Sequence, residues 1–290
     1  MSAWFQMCWA RVPYEQSTRP AEGFLASEIS RSVSKIHDKF PQWFEVANSI
    51  NELAMRILPL LQPVKTNDQQ LLVAALYGRA LTSFQSAYIL AERGLTADAR
   101  TVVRAAVETT VVLNAVVHDP SVSDLLVLRH QWHNRKLLKS WVDDPQAIVA
   151  MSAVQLAEFK AAIAQIDSTH PRVKDRGDPL IISNLAIKTG LLWLYNSVYR
   201  PTSGDAAHTS LQTLERHIQA DDASEIQGLK FGPDVGNVCD TLSAAISTLL
   251  PAMRASIGLF DAPQFEPELN ARTEAWKNLG IPANSAKVST

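Results

Sequence analysis

Two cysteines in 290 residues, Cys8 and Cys239, are too few for a disulfide framework or a cysteine-rich zinc or iron–sulfur site. They fit a reducing compartment, and a cytoplasmic location is expected. Charge of one sign is also lacking. The formal net charge of −2 gives no general attraction to nucleic acid or to an anionic membrane, so neither is expected as a partner. No run of about 18 apolar residues free of charge occurs, which argues against a transmembrane helix. Residues 70–90 come closest, but Arg79 near their middle, with Gly78, Ser83, Gln85 and Ser86, makes them read as a buried helix of a soluble domain. The first residues are apolar only briefly, with no basic segment before them, and make a poor signal peptide. Several motifs are missing too: Gly-x-Gly-x-x-Gly, a Gly-Lys-Ser/Thr phosphate loop, His-Glu-x-x-His and Gly-x-Ser-x-Gly. Dinucleotide enzymes, P-loop enzymes, zincin proteases and α/β-hydrolases are thereby disfavoured.

What the chain does have is apolar helix. Hydrophobic residues make up 47% and charged residues 19%, enough to build a sizeable core. The expectation is an all-α protein, a single helical bundle of about seven or eight helices with flexible ends. An N-terminal arm covers 1–20, the bundle domain 21–262 and a C-terminal tail 263–290. An amphipathic helix is expected in 21–40 and, after Phe40-Pro41, a second to about Leu61. The third spans Asp68–Arg93 and is closed by Gly94. The fourth, N-capped by Thr96, is apolar nearly all round and should be central. A fifth opens at Ser121 or Ser123 and reaches Trp141. The Ser152–Gln155 capping box opens the next. Residues 168–178 read as a loop, and Asp178-Pro179 starts an apolar helix that ends near Tyr199. The spacing predicts a turn at 200–204, a short helix from Asp205, and an irregular stretch over 220–236 with a hairpin near Leu229–Phe231. A last long helix follows over 234–260, with a short one near Glu268–Leu279.

Charges among Val, Ala and Leu need partners, because a buried unpaired charge is costly. Arg100, Arg104 and Glu108 lie at i, i+4 and i+8 and form one helical stripe. They read as the charged wall of a cleft, with Arg79 of the preceding helix reaching the same layer, or else as a structural ion pair. Tyr199, Ser203 and His208 surround one turn and one helix start. They read as a phenol, a hydroxyl and an imidazole converging on a ligand, with His208 as general acid or base, or else as caps. His130 and His133 make a His-x-x-His pair, the weakest metal candidate, because a site needs further ligands. No cofactor is expected.

The segment Leu81–Val117, with Glu92-Arg93-Gly94-Leu95, Ala99-Arg100, Arg104 and Glu108, resembles the core of domain of unknown function family 5677. These are mostly bacterial helical proteins without an assigned activity. The resemblance resumes at Tyr195–His208, where members tend to show a Tyr, a Ser and a His in similar order, and it covers roughly 70–260. It implies an all-α fold and no function to inherit. A more distant likeness is to HEPN-type helical bundles, often RNases or nucleotide-binding partners of toxin systems, whose mark of Arg, four to six residues, then His is matched by Arg31 and His37.

The expected function follows from the cluster. It is a partly buried pocket for a small anionic or nucleotide-like ligand, with Arg79, Arg100, Arg104 and Ser203 binding and Glu108, His208 and Tyr199 catalytic, and hydrolysis of a phosphodiester or RNA as one form. The alternatives are a non-enzymatic interaction module, with a homo-oligomer among its forms, and a metal-dependent hydrolase.

Overall fold

The computed structural model describes residues 23–27, 29–175, 177–206, 214, 217–220, 226–229 and 231–279. The helices are α1 (Ile29–Lys39), α2 (Pro41–Ile57), α3 (Asp68–Glu92), α4 (Thr96–His118), α5 (Val122–Asp143), α6 (Pro145–Ala150), α7 (Ala153–Thr169), α8 (Arg172–Asp175), α9 (Ile182–Lys188), α10 (Leu192–Leu194), α11 (Arg200–Ala206), α12 (Val238–Leu259) and α13 (Glu266–Asn278). A short antiparallel ribbon, β1 (Ile218–Ala220) with β2 (Ile226–Leu229), pairs Ile218 with Leu229. The fold is an all-α bundle, as the sequence indicates.

Its core is three helices deep. Val73, Tyr77, Ala80, Phe84, Ala87 and Ala91 of α3 recur at helical spacing and are buried. Every residue of α4 from Thr109 to Val116 is buried, which only a helix surrounded on all sides can achieve. Against both packs α12, through Leu242, Ala245, Ile246, Leu249 and Met253. Hydrogen bonds cross these contacts. Thr110 Oγ1 donates to the Thr248 carbonyl at 3.0 Å, and the buried Tyr77 hydroxyl donates to the Ala54 carbonyl at 2.8 Å. By length and composition α4 and α12 are apolar enough to cross a membrane, but their most apolar windows are 61% buried inside the protein. They are core helices here. The last helix docks as well: Leu269 of α13 is fully buried, and Arg272 donates to the Ser49 carbonyl of α2 at 2.8 Å.

The helices outnumber the seven or eight expected because several supposed breaks are themselves helical. Asp144 accepts from Gln146 N and Pro145 opens α6, where a plain break was expected. The 168–178 loop contains α8. The single apolar helix expected to Tyr199 is cut at Gly190, whose φ is +71°. It resumes as α10, runs through a π-turn at Tyr195–Tyr199 and continues straight into α11. The turn expected at 200–204 is therefore helix. Pro201 cannot donate to the Ser197 carbonyl four residues back, and the Arg200 amide just before it bonds five residues back, to the Tyr195 carbonyl. Ile218, expected in a helix, lies in β1. Thr96 is not an N-cap but the first helical residue, and its hydroxyl donates instead to Asp234 Oδ2 at 2.9 Å.

Candidate functional site

Three elements bring the charged side chains together. Ala99, Val103, Ala106 and Val107 turn one face of α4 into the core, so Arg100, Arg104 and Glu108 emerge on the other, all half-buried. The π-turn and α11 lie along that face. Tyr199 and Ser203 lie four residues apart, one helical turn, and so share the side that faces Arg104. As built, Arg104 Nη2 donates to the Tyr199 hydroxyl at 2.7 Å and Nε donates to Ser203 Oγ at 3.2 Å. The Ser203 hydroxyl donates onward to the Tyr199 carbonyl at 2.7 Å, one helical turn back. The Tyr199 hydroxyl donates to Glu108 Oε1 at 3.0 Å, so each hydroxyl both accepts from Arg104 and donates.

Glu108 is the hub. Its Oε1 lies 3.5 Å from Arg104 Nη1, and its Oε2 lies 3.9 Å from Arg129 Nη2 of α5. Arg129 Nε in turn lies 3.2 Å from Asp178 Oδ2, ahead of α9. Two guanidiniums and two carboxylates thus alternate along one chain of contacts. Their side chains are a quarter to a third exposed, between 25% for Arg104 and 33% for Arg129, so water reaches the cluster. An opening of about 280 Å³ adjoins it, lined by Leu125, Leu128, Arg172 and Asp178 among others.

Aromatic stacking fixes the phenol. Arg104 Cζ sits 4.5 Å from the Tyr199 ring centre, and Tyr195 stacks on Tyr199 at 4.8 Å with 17° between planes. Arg200 covers Tyr195 at 5.6 Å, completing a column of two stacked rings between two cations. Burial pushes the Tyr199 phenol above its usual value, and the Glu108 charge and hydrogen bond add to that against the opposing pull of Arg104. The phenol therefore stays protonated at neutral pH. It serves as a hydrogen-bond donor and not as a phenolate.

The other expected residues fall elsewhere. Arg79 is exposed on α3, and no ion pair or hydrogen bond joins it to the cluster among the described residues; the core layer it was assigned is filled by Tyr77 and Ala80. Glu92 is taken by His37 at 3.4 Å and by Arg93, at the α3–α1 contact. His208 lies outside the described residues. His130 and His133 are both exposed, His130 contacts Asn134 at 2.9 Å, and no group able to hold a metal occurs among the described residues. Arg31 is exposed and His37 stacks on Phe44 at 3.9 Å. Sequence reasoning missed Arg129 and Asp178. Arg129 carried a signal, since Leu125, Leu128, Arg129 and Trp132 share the inward stripe of α5. Asp178 carried none beyond its turn chemistry.

A family model, described as a family of unknown function (DUF5677), matches residues 70–226, more than half of the chain. Comparison with the curated proteins and with the solved structures found no match. The matched segment contains every residue of the cluster, from Arg104 to Ser203, and nothing supports the HEPN likeness. The chain belongs to this family.

Proposed function

We propose that this member of a family of unknown function binds a small anionic ligand, of the phosphate ester class, at the cluster on α4, α5 and α11, and acts there on a phosphodiester inside the cell. The observation that carries the reading is the convergence of two guanidiniums on one water-accessible carboxylate, with a protonated phenol donating into the same spot. Guanidinium forks match phosphate oxygens as well as carboxylate oxygens. An entering phosphate would take Arg104 and Arg129 as its clamp. Glu108, displaced from them, is the acceptor for the proton of the attacking hydroxyl or water. The Tyr199 phenol donates toward the leaving oxygen. His208, nine positions beyond Tyr199 in the chain, is the imidazole that this reading assigns to acid–base work.

The test is hydrolysis of bis(p-nitrophenyl) phosphate, read as nitrophenolate release, alongside calorimetric titration with AMP. Wild-type protein is expected to turn over the diester. Tyr199→Phe, which keeps the ring column, and His208→Ala are each expected to lose roughly 100-fold or more in rate. Absence of both turnover and saturable AMP binding in the wild type overturns the reading. Unchanged turnover in both variants overturns the residue roles.

One observation favours a second reading. The charges cancel, two positive against two negative, and each is already paired. A network closed on itself can serve as a structural tie between α4, α5 and α11 in an interaction module without chemistry. A lowered melting temperature in Glu108→Ala, with no ligand found for the wild type, is its signature.

A further inference from the structure

At the C-terminal end of α4, beyond the Arg–Glu cluster, an open groove of about 710 Å³ runs between α4, α10, α12 and α13. That volume lies in the range of sites that enclose a small organic ligand. Its floor is apolar: Val117, Leu191, Leu250 and Pro251, with Trp193 and Trp276 as walls. Trp193 is 47% exposed, which is unusual for so large an apolar ring without a partner.

Two features show that the floor is built for hydrogen bonding from a ligand. Asn114 is 92% buried, with only 8% of its surface exposed, and it lines the groove. Its Nδ2 donates to the Thr110 carbonyl at 2.9 Å. Because that partner is an acceptor, the amide orientation is fixed by chemistry, and Oδ1 is the end left over. Oδ1 has no hydrogen-bond partner among the described residues, yet it is not among the sealed polar atoms of the interior, so it opens to the groove. Second, Pro251 interrupts α12 where it lines the same groove. Proline has no N–H to return to the carbonyl four residues back, that of Ser247, which is itself buried and also lines the groove. Asn114 Oδ1 is an acceptor and the Ser247 carbonyl is denied its usual helical donor, so the floor offers acceptors to a ligand's donor.

The rim has the opposite character. Its ionisable groups are His118, Arg254 and Lys277, and no carboxylate lines the groove. Arg254 donates to the neutral Asn270 amide at 2.8 Å and keeps its charge uncompensated by that contact, while Lys277 pairs with Glu274 at 2.8 Å. The Arg254 cation at the rim of an apolar floor with an open acceptor describes its occupant. We propose that this groove is a binding site for a small amphipathic acid carrying an amide or hydroxyl donor between its apolar body and its carboxylate, the chemistry of an N-acylated amino acid. The site is separate from the Arg–Glu cluster and does not depend on the function proposed for it.

The experiment titrates the full chain with N-octanoylglycine and follows tryptophan fluorescence, since Trp193 and Trp276 flank the groove, with calorimetry for stoichiometry. Saturable one-to-one binding is expected. Arg254→Glu and Trp193→Ala change exposed side chains and should leave the melting temperature intact. Each is expected to weaken binding about tenfold or more. N-octanoylglycine methyl ester and octylamine, which lack the negative charge, are expected to bind at least about tenfold more weakly than the acid. No saturable binding of the acid, equal binding of octylamine, or undiminished binding in both variants overturns the proposal.

Discussion

Tyr199 is positioned by its neighbours more than by its own burial. It accepts from Arg104, donates to Glu108, stacks on Tyr195 and lends its backbone carbonyl to Ser203. Removing the hub of this set tests how much it holds. Glu108→Ala leaves Arg104 and Arg129 turned toward each other with no carboxylate between them, and is expected to cost roughly 1–3 kcal/mol in chemical denaturation. A change under about 0.5 kcal/mol would remove the structural reading of the cluster. A second prediction concerns alkaline pH. Burial raises the phenols of Tyr77 and Tyr199, and pushes the Cys239 thiol up to about 11, with Asp240 adding to it. In each case the folded chain holds its proton more tightly than the unfolded chain. The associated stability is thus complete below the ordinary thiol value near pH 9 and is lost as pH rises toward about 11 for Cys239. The protein is expected to lose stability steadily above pH 9, and Cys239→Ala should flatten that slope between pH 9 and 11 when denaturation midpoints are compared. An identical slope in the variant contradicts the assignment. How far this scale was legible varies by residue. The Arg104–Glu108 stripe follows from i, i+4 spacing alone. The meeting of Arg104 with Tyr199 and Ser203 spans 95 and 99 positions, which no local periodicity announces. Arg79 misled because a charge in an apolar run reads as buried, although Gly78 and Thr82 place its side of the helix outward.

At the scale of elements, the α3–α4 connection has the narrowest tolerance. Gly94 adopts φ +73°, and a Cβ there would lie 2.6 Å from the Pro233 Cβ and 2.7 Å from its Cα. Its carbonyl also accepts from the Asp234 amide at 2.9 Å. Gly94→Ala therefore meets backbone strain and a clash together, and is expected to destabilise by about 2–4 kcal/mol, measured by urea midpoint at unchanged m-value. An effect within about 0.5 kcal/mol would mean that the 233–234 segment yields freely. The sequence announced this helix end through glycine, and it announced the capping box, where Ser152 and Gln155 bond reciprocally. It concealed α6, because a proline after aspartate marks a helix start as readily as a break, and α8, whose four residues are too few to show a period. The short helix expected near Glu268–Leu279 is α13; its docking was hidden, since its contacts with α2 are long-range and leave no local pattern.

Over the whole molecule, the matched family segment and the folding unit differ in extent. The match ends at residue 226, before α12 begins. Yet Ile246, Leu249 and Met253 of α12 fill the core between α3 and α4. A fragment of residues 70–226 would expose Val73, Tyr77, Val111 and their neighbours over the length of two long helices. We predict that this fragment alone lacks a cooperative thermal transition and binds the dye ANS, whereas the full chain melts cooperatively and does not. A cooperative fragment with no dye binding would show that α12 is dispensable to the core. That the bundle is all-α was evident from composition and period; that its third core helix comes from outside the matched segment was not, because two apolar helices do not reveal which third one covers them.

The bond from Thr96 to Asp234 joins residues 138 positions apart. During synthesis the α3–α4 hairpin leaves the ribosome before the segment that latches its turn and the helix that covers its face. At 5–20 residues per second, that interval is on the order of ten seconds. For that time a long apolar hairpin stands uncovered in a crowded cell, and the yield of native protein becomes a race between translation of the chain that follows it and self-association of the hairpin.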